Sequence, residues 1–119
     1  MKILLLDDDE LSVEMMETLL DLNGCEVKTC IDPKEAIKFI KNEPYDLILT
    51  DYMMPGMNGA TFIEAVKDYI GDSKIAFTTA YMKDLFGNNS KPSKVDRIFM
   101  KPINVDELLG YVETLKANL

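Results

Sequence analysis

Three short apolar runs in this 119-residue chain end in groups able to hold a metal ion and an anion. Ile3-Leu4-Leu5-Leu6 runs into Asp7-Asp8-Asp9-Glu10. Asp46-Leu47-Ile48-Leu49-Thr50 runs into Asp51, and Arg97-Ile98-Phe99-Met100 runs into Lys101-Pro102. A short apolar run bounded by polar residues reads as a buried strand of a parallel sheet. The charges then sit at the C-terminal ends of strands, where open α/β sheets bind ligands. Carboxylates gathered there repel one another unless a cation sits among them. The pattern predicts a site for a hard divalent cation, with a lysine beside it to hold an anion.

The elements that must position these groups follow from periodicity. After the first strand, Leu11, Met15, Met16, Leu19 and Leu20 recur at helical spacing, and Gly24 stops that helix. Glu26 to Cys30 reads as a second strand. Asp32-Pro33-Lys34-Glu35 is a helix start: Asp caps, Pro takes the first helical position and Glu reaches back. Ala36, Ile37 and Ile40 give that helix its buried stripe, and Pro44 ends the region. Asp46 to Thr50 is the third strand. A loop with Pro55, Gly56 and Gly59 precedes a helix with the stripe Phe62, Ile63, Val66, Tyr69 and Ile70, ended by Gly71. Lys74 to Thr78 and Arg97 to Met100 are strands four and five. Asn104 with Glu107 starts a last helix, with Val105, Leu108, Leu109, Val112 and Leu115 on one face.

Alternating strands and helices predict an α/β fold with a parallel sheet and helices on both faces. One tract breaks the pattern. A fourth crossover helix is due between Met82 and Asp96, yet Gly87, Asn88, Asn89, Ser90 and Pro92 are poor helix formers. A short, distorted or mobile segment is expected there.

The charge balance, 13 basic against 21 acidic residues for a net −8, argues against direct nucleic-acid binding, which needs a basic face. The absence of histidine excludes a histidine acid, base or metal ligand within the chain. Cys25 and Cys30 are at odd spacing, so on one strand they point to opposite faces and cannot pair. They read as reduced core thiols of a cytoplasmic protein. The apolar stretch at the amino terminus is too short for a signal peptide or a membrane span.

The loop Asp51-Tyr52-Met53-Met54-Pro55-Gly56-Met57-Asn58-Gly59 resembles the phosphoacceptor loop of bacterial two-component response-regulator receiver domains. The acidic pair Asp7-Asp8, Thr79-Ala80 after strand four and Lys101-Pro102 after strand five fall in that family's order. The resemblance covers residues 1–119 as one receiver domain. It implies a flavodoxin-like, doubly wound, five-stranded parallel sheet in strand order 2-1-3-4-5. It also implies a role as a signalling switch of a phosphorelay rather than as a metabolic enzyme. Asp51 would be the phosphoacceptor, a carboxylate that attacks phosphorus to form an acyl phosphate. Magnesium (Mg2+) would be the cofactor, held by Asp8, Asp51 and the backbone carbonyl of Met53, with Asp7 acting through a bound water. Lys101 would contact one phosphoryl oxygen and Thr79 would give its hydroxyl to another. Ala80 would leave room for the group, and Lys101-Pro102 would be cis. The implied partners are a sensor histidine kinase or histidine phosphotransfer protein, and an effector protein or attached effector domain. A nucleic acid or a membrane is not among them.

Two features depart from the family pattern. Ile98 stands where many members carry an aromatic residue that turns inward as the threonine moves, and Phe99 beside it points to the other face. Met53 and Tyr81, two residues after Asp51 and Thr79, flank the path of attacking water in the family. An apolar and a bulky aromatic group there predict slow self-dephosphorylation. Two other readings remain open. Asp7-Asp8-Asp9-Glu10-Leu11 also resembles the opening of haloacid-dehalogenase-type phosphatases, with Asp7 as nucleophile and Asp9 as acid. A pseudo-receiver, an interaction module that is never phosphorylated, would share the fold.

Overall fold

The computed structural model describes residues 1–80 and 95–119. Strands β1 (Lys2–Leu6), β2 (Glu26–Cys30), β3 (Leu47–Asp51), β6 (Lys74–Thr79) and β7 (Arg97–Met100) form one parallel sheet. Their spatial order is β2-β1-β3-β6-β7. Counting only the strands of this sheet, that is the expected 2-1-3-4-5. Two further strands, β4 (Met53–Met54) and β5 (Met57–Asn58), make a small antiparallel hairpin within what the sequence presents as a loop.

The helices are α1 (Glu10–Leu22), α2 (Pro33–Asn42), α3 (Gly59–Val66) and α4 (Val105–Ala117). Each starts at a side chain that accepts a backbone N–H: Asp9 from Leu11, Asp32 from Lys34, Asn58 from Thr61 and Asn104 from Glu107. Such caps are worth about 1 kcal/mol each and fix where a helix begins. Gly24, at φ 82°, closes the far end of α1 in a conformation that costs glycine nothing.

Helices lie on both faces of the sheet because alternate strand residues point to opposite sides. Leu4, Leu6, Ile48, Ile75 and Phe77 pack against α2 and α3. Ile3, Leu5, Leu47, Leu49, Ala76 and Phe99 pack against α1 and α4. The cysteines divide in the same way, Cys30 into the first cluster and Cys25 into the second, both buried and unpaired.

Several helical positions differ from the expected stripes. On α1 the buried residues are Val13, Met16 and Leu20, whereas Leu11 is 65% and Met15 60% exposed. Both lie on the side turned away from the sheet, so the sequence stripe overstates the buried face. Helix α3 ends at Val66 and not at Gly71, leaving Tyr69 outside the helix and exposed while Ile70 stays buried. On α4, Val105 is exposed, and Leu108 and Val112 carry the burial. The expectation for the tract between 82 and 96 falls on residues 81–94, which lie outside the described residues. Of that tract, Val95 is buried and Asp96 is tied to Ile75 by two hydrogen bonds of 2.8 Å.

Candidate functional site

The predicted residues converge at the C-terminal end of the sheet. Asp7 follows β1, and its N–H donates to the Cys30 carbonyl at 3.2 Å, so the ladder with β2 runs one residue past the strand. That places its carboxylate at the rim, only 2% exposed, where it accepts the Asp9 N–H at 3.0 Å. Asp8 is exposed. Asp51 is the last residue of β3, paired with Thr78 of β6. A carboxylate oxygen from each of Asp7, Asp8 and Asp51 lies within 4.8 Å of the others. Lys101 leaves β7 with its N–H donating to the Thr79 carbonyl at 2.7 Å. Its Nζ reaches Asp51 Oδ2 at 3.0 Å and Asp7 Oδ2 at 3.3 Å. The Lys101–Pro102 peptide is cis. Thr79 is buried at the end of β6.

Burial pushes the Asp51 carboxyl above its ordinary value, and the neighbouring Asp7 adds to this, while the hydrogen bond and charge of Lys101 pull the other way. Burial also works against the charge on Lys101, but its bond to Asp51 and the charges of Asp51 and Asp7 outweigh it and hold the ammonium protonated. Among the described residues the site therefore has three carboxylates and one ammonium. That imbalance within a 4.8 Å cluster is what a hard divalent cation relieves, and oxygen donors of this kind are what Mg2+ takes. The residues fit the ion.

Asp9 plays a different part. Its carboxylate accepts from Leu11 N at 3.2 Å and Ser12 Oγ at 2.9 Å as the α1 cap. The Ser12 hydrogen bond holds its pKa below the ordinary range. Both carboxylate oxygens of Asp9 are therefore engaged with the first turn of α1.

The loop after Asp51 is tied at several points. Met53 N–H donates to Asp51 Oδ1 at 3.3 Å, Tyr52 N–H to the Thr78 carbonyl at 3.0 Å, and Gly59 N–H to the Tyr52 carbonyl at 2.6 Å. Behind it, Thr50 Oγ1 donates to the Asp51 carbonyl at 3.0 Å. Gly59 is required by contact: a Cβ there would lie 2.9 Å from both the Phe77 and Tyr52 rings. Those rings meet edge to face at 5.3 Å. The sequence signals the glycine but not its reason, which is an aromatic pair between Tyr52 of the loop and Phe77 of β6.

The profile of the response regulator receiver domain matches residues 3–113. The chain belongs to the response regulator receiver domain family. It is 32% identical over 114 residues to the transcriptional regulatory protein CpxR homolog of Haemophilus influenzae, covering 96% of this chain and 49% of that protein. The chain spans about half the length of the curated transcriptional regulators it first matches. Among solved structures, the receiver domain of the Francisella response regulator 1452 superposes with a TM-score of 0.84 at 26% identity, over 98% of this chain and 97% of that one. The response regulator TrrA of Thermotoga maritima, solved in complex with Mg(2+)-BeF, superposes at 0.83 with 30% identity, over 96% and 97% of the two chains. Receiver domains of this family are signalling switches of two-component systems.

Within this receiver, Ile98 lies on the α2/α3 side, partly buried. Phe99 is buried on the opposite side, edge to face with Tyr111 at 5.7 Å. Met53 is 62% exposed, whereas Met54 of the same hairpin is buried. Tyr81 lies outside the described residues. Among the described residues no helix is long and apolar enough to cross a membrane.

Proposed function

We propose that residues 1–119 form one receiver domain in which Asp51 accepts a phosphoryl group from a phosphohistidine of a sensor histidine kinase or phosphotransfer protein. The observation that carries this is Asp51 itself, a buried carboxylate within 4.8 Å of Asp7 and Asp8 oxygens and 3.0 Å from Lys101 Nζ. A carboxylate oxygen of Asp51 attacks phosphorus, the P–N bond breaks, and its electron pair leaves with the imidazole. Bound Mg2+ supplies charge neutralisation of the anionic phosphoryl group. Asp8, Asp51 and the Met53 carbonyl would hold the ion directly, and Asp7 through a water. Lys101 holds one phosphoryl oxygen, and the Thr79 hydroxyl approaches another once the group is in place. An exposed apolar rim of Leu11, Met15 and Val105 suits a protein donor rather than a small one. Beside it, a cleft of about 250 Å³ reaches Asp7 and Lys101. The phosphorylated domain would then act on an effector protein or an attached effector domain, in the cytoplasm.

Intact-mass measurement after incubation with Mg2+ and acetyl phosphate tests the reading. One phosphoryl group is expected on the wild type, dependent on Mg2+ and absent from Asp51→Asn. No adduct from either this donor or a phosphohistidine protein would make the chain a pseudo-receiver. The exposed thioether of Met53 offers an attacking water no hydrogen bond, so the acyl phosphate should be long-lived. Met53→Asn is expected to shorten its lifetime about fivefold, the effect of one added hydrogen bond in the transition state. An unchanged lifetime would show that Met53 does not control water.

A further inference from the structure

The methionines are not distributed evenly with respect to solvent. Among the described residues, those that are strongly exposed are Met15, Met53 and Met100, while Met16 and Met54 beside two of them are buried. Each exposed one is next to a residue of the carboxylate site, in sequence or across a cleft. Met100 directly precedes Lys101, and Met15 lines the cleft that also contains Asp7 and Lys101. Met53 is nearest. Its N–H donates to Asp51 Oδ1 at 3.3 Å, so its Cα lies within about 5 Å of the acceptor oxygen. Pairing of Met53 with Asn58 in the hairpin fixes the backbone from which this side chain extends.

Resting on the reading of Asp51 as phosphoacceptor, we propose that Met53 is an oxidation site, and that its sulfoxide shortens the life of the acyl phosphate. The oxidant is a hydroperoxide. A sulfur lone pair attacks the terminal peroxide oxygen, the O–O bond breaks and the S–O bond forms. Sulfur loses two electrons, and the other peroxide oxygen leaves as water or an alcohol after taking a proton. The product is the reversible first step of methionine oxidation, which turns an apolar flexible side chain into a polar one. The thioether carried on that backbone offers water no strong acceptor, and sulfur is a poor partner for a hard cation. The sulfoxide oxygen is both a strong acceptor and a hard donor. Placed on a residue whose backbone already touches the Asp51 carboxylate, it draws water toward the phosphoryl group. Met54 is 8% exposed and Met16 7%, which protects them.

The test combines peptide mapping with a lifetime measurement. Protein titrated with hydrogen peroxide is expected to gain one oxygen at Met53, Met15 and Met100 before Met16 and Met54. Samples oxidised at Met53 are loaded with acetyl phosphate and Mg2+, and decay of the adduct is followed by intact mass. The expected result is decay about fivefold faster than in untreated protein, as one added hydrogen bond produces. Peroxide should not alter decay in Met53→Leu, whatever its own starting rate, and should still accelerate it in Met15→Leu and Met100→Leu. A normal adduct whose lifetime is unmoved by full oxidation of Met53 overturns the proposal alone. Equal acceleration in Met53→Leu also overturns it. Absence of any adduct before oxidation removes the phosphoacceptor reading, and this proposal with it.

Discussion

The two ends of the sheet carry aspartates that are used in opposite ways. At the N-terminal end of the strands Asp46, Asp96 and Glu43 each have their own partners. Asp46 Oδ2 accepts the Lys2 N–H at 2.7 Å, and Asp96 Oδ2 accepts the Ile75 N–H at 2.8 Å. Glu43 takes Lys2 Nζ at 2.8 Å and the Tyr45 hydroxyl at 2.5 Å. At the C-terminal end, Asp7, Asp8 and Asp51 crowd together, and Asp7 and Asp51 share the ammonium of Lys101. The first set closes strand ends that would otherwise leave N–H groups unpaired. The second set keeps unneutralised charge in one place, which costs stability and gives chemistry in return. The same residue type therefore reads as structural or functional by whether its charge is shared out or concentrated.

Exchanging roles between the ends should fail in both directions. The largest effect is expected from Asp51→Asn, which should abolish the phosphoryl adduct in intact-mass measurements while leaving the fold intact. Its stability should not fall below wild type without Mg2+. The folded pKa of Asp51 is raised above its ordinary 3.8, so its favourable contribution is complete below that value and lost as pH rises through the folded one. At neutral pH the ionised group is a cost that asparagine avoids. A clear drop in melting temperature would show that the Lys101 pair outweighs the crowding.

Next in size are Asp46→Ala and Asp96→Ala. Each leaves a strand N–H without its acceptor and should lower unfolding free energy by about 1–2 kcal/mol in denaturant titrations. Phosphorylation by acetyl phosphate should be unchanged in both. Loss of the adduct in either would mean that the two ends are coupled. Mg2+ at ten times its dissociation constant should then stabilise the wild type by about 1.4 kcal/mol. The same gain is expected for the Asp46 and Asp96 variants, and none for Asp51→Asn in thermal melts. The smallest effect belongs to Glu43. Its carboxyl is held below its ordinary 4.5 by the Lys2 and Tyr45 hydrogen bonds, so its contribution is present above 4.5 and lost as pH falls through the folded value. Lys2→Met should flatten that acid-side loss slightly. The pair lies half-buried at the surface, so a large change would contradict its assignment as a weak surface contact.

The acidic rim was legible because each charge stands directly after an apolar run, and strand direction alone then brings Asp7, Asp51 and Lys101 to one end. Strand order was not readable from periodicity and came from the family resemblance. The outer side of α1 was misread: Leu11 and Met15 fit helical spacing as well as Val13 does, and only packing decides which of them meets the sheet. The hairpin of Met53–Met54 with Met57–Asn58 is too short to produce an alternating pattern. Asp9 as a cap, and Asp46 and Asp96 as strand closures, depend on backbone groups that a sequence does not display. Tyr69 failed for a related reason, since α3 stops at Val66 before its spacing can apply.

The division of the two cysteines between the layers gives the molecule a pair of internal reporters. Cys25 is sealed under α1 and α4, and Cys30 under α2 and α3, each about 4% exposed. Burial pushes the Cys30 thiol up to about 12, so at neutral pH it is both covered and protonated, and an alkylating reagent waits for that layer to lift. The two labelling clocks run separately if the layers open separately and together if the sheet unfolds as one. The native thiols alone, followed by alkylation, can thus tell whether events at Asp51 loosen one side of the sheet or both.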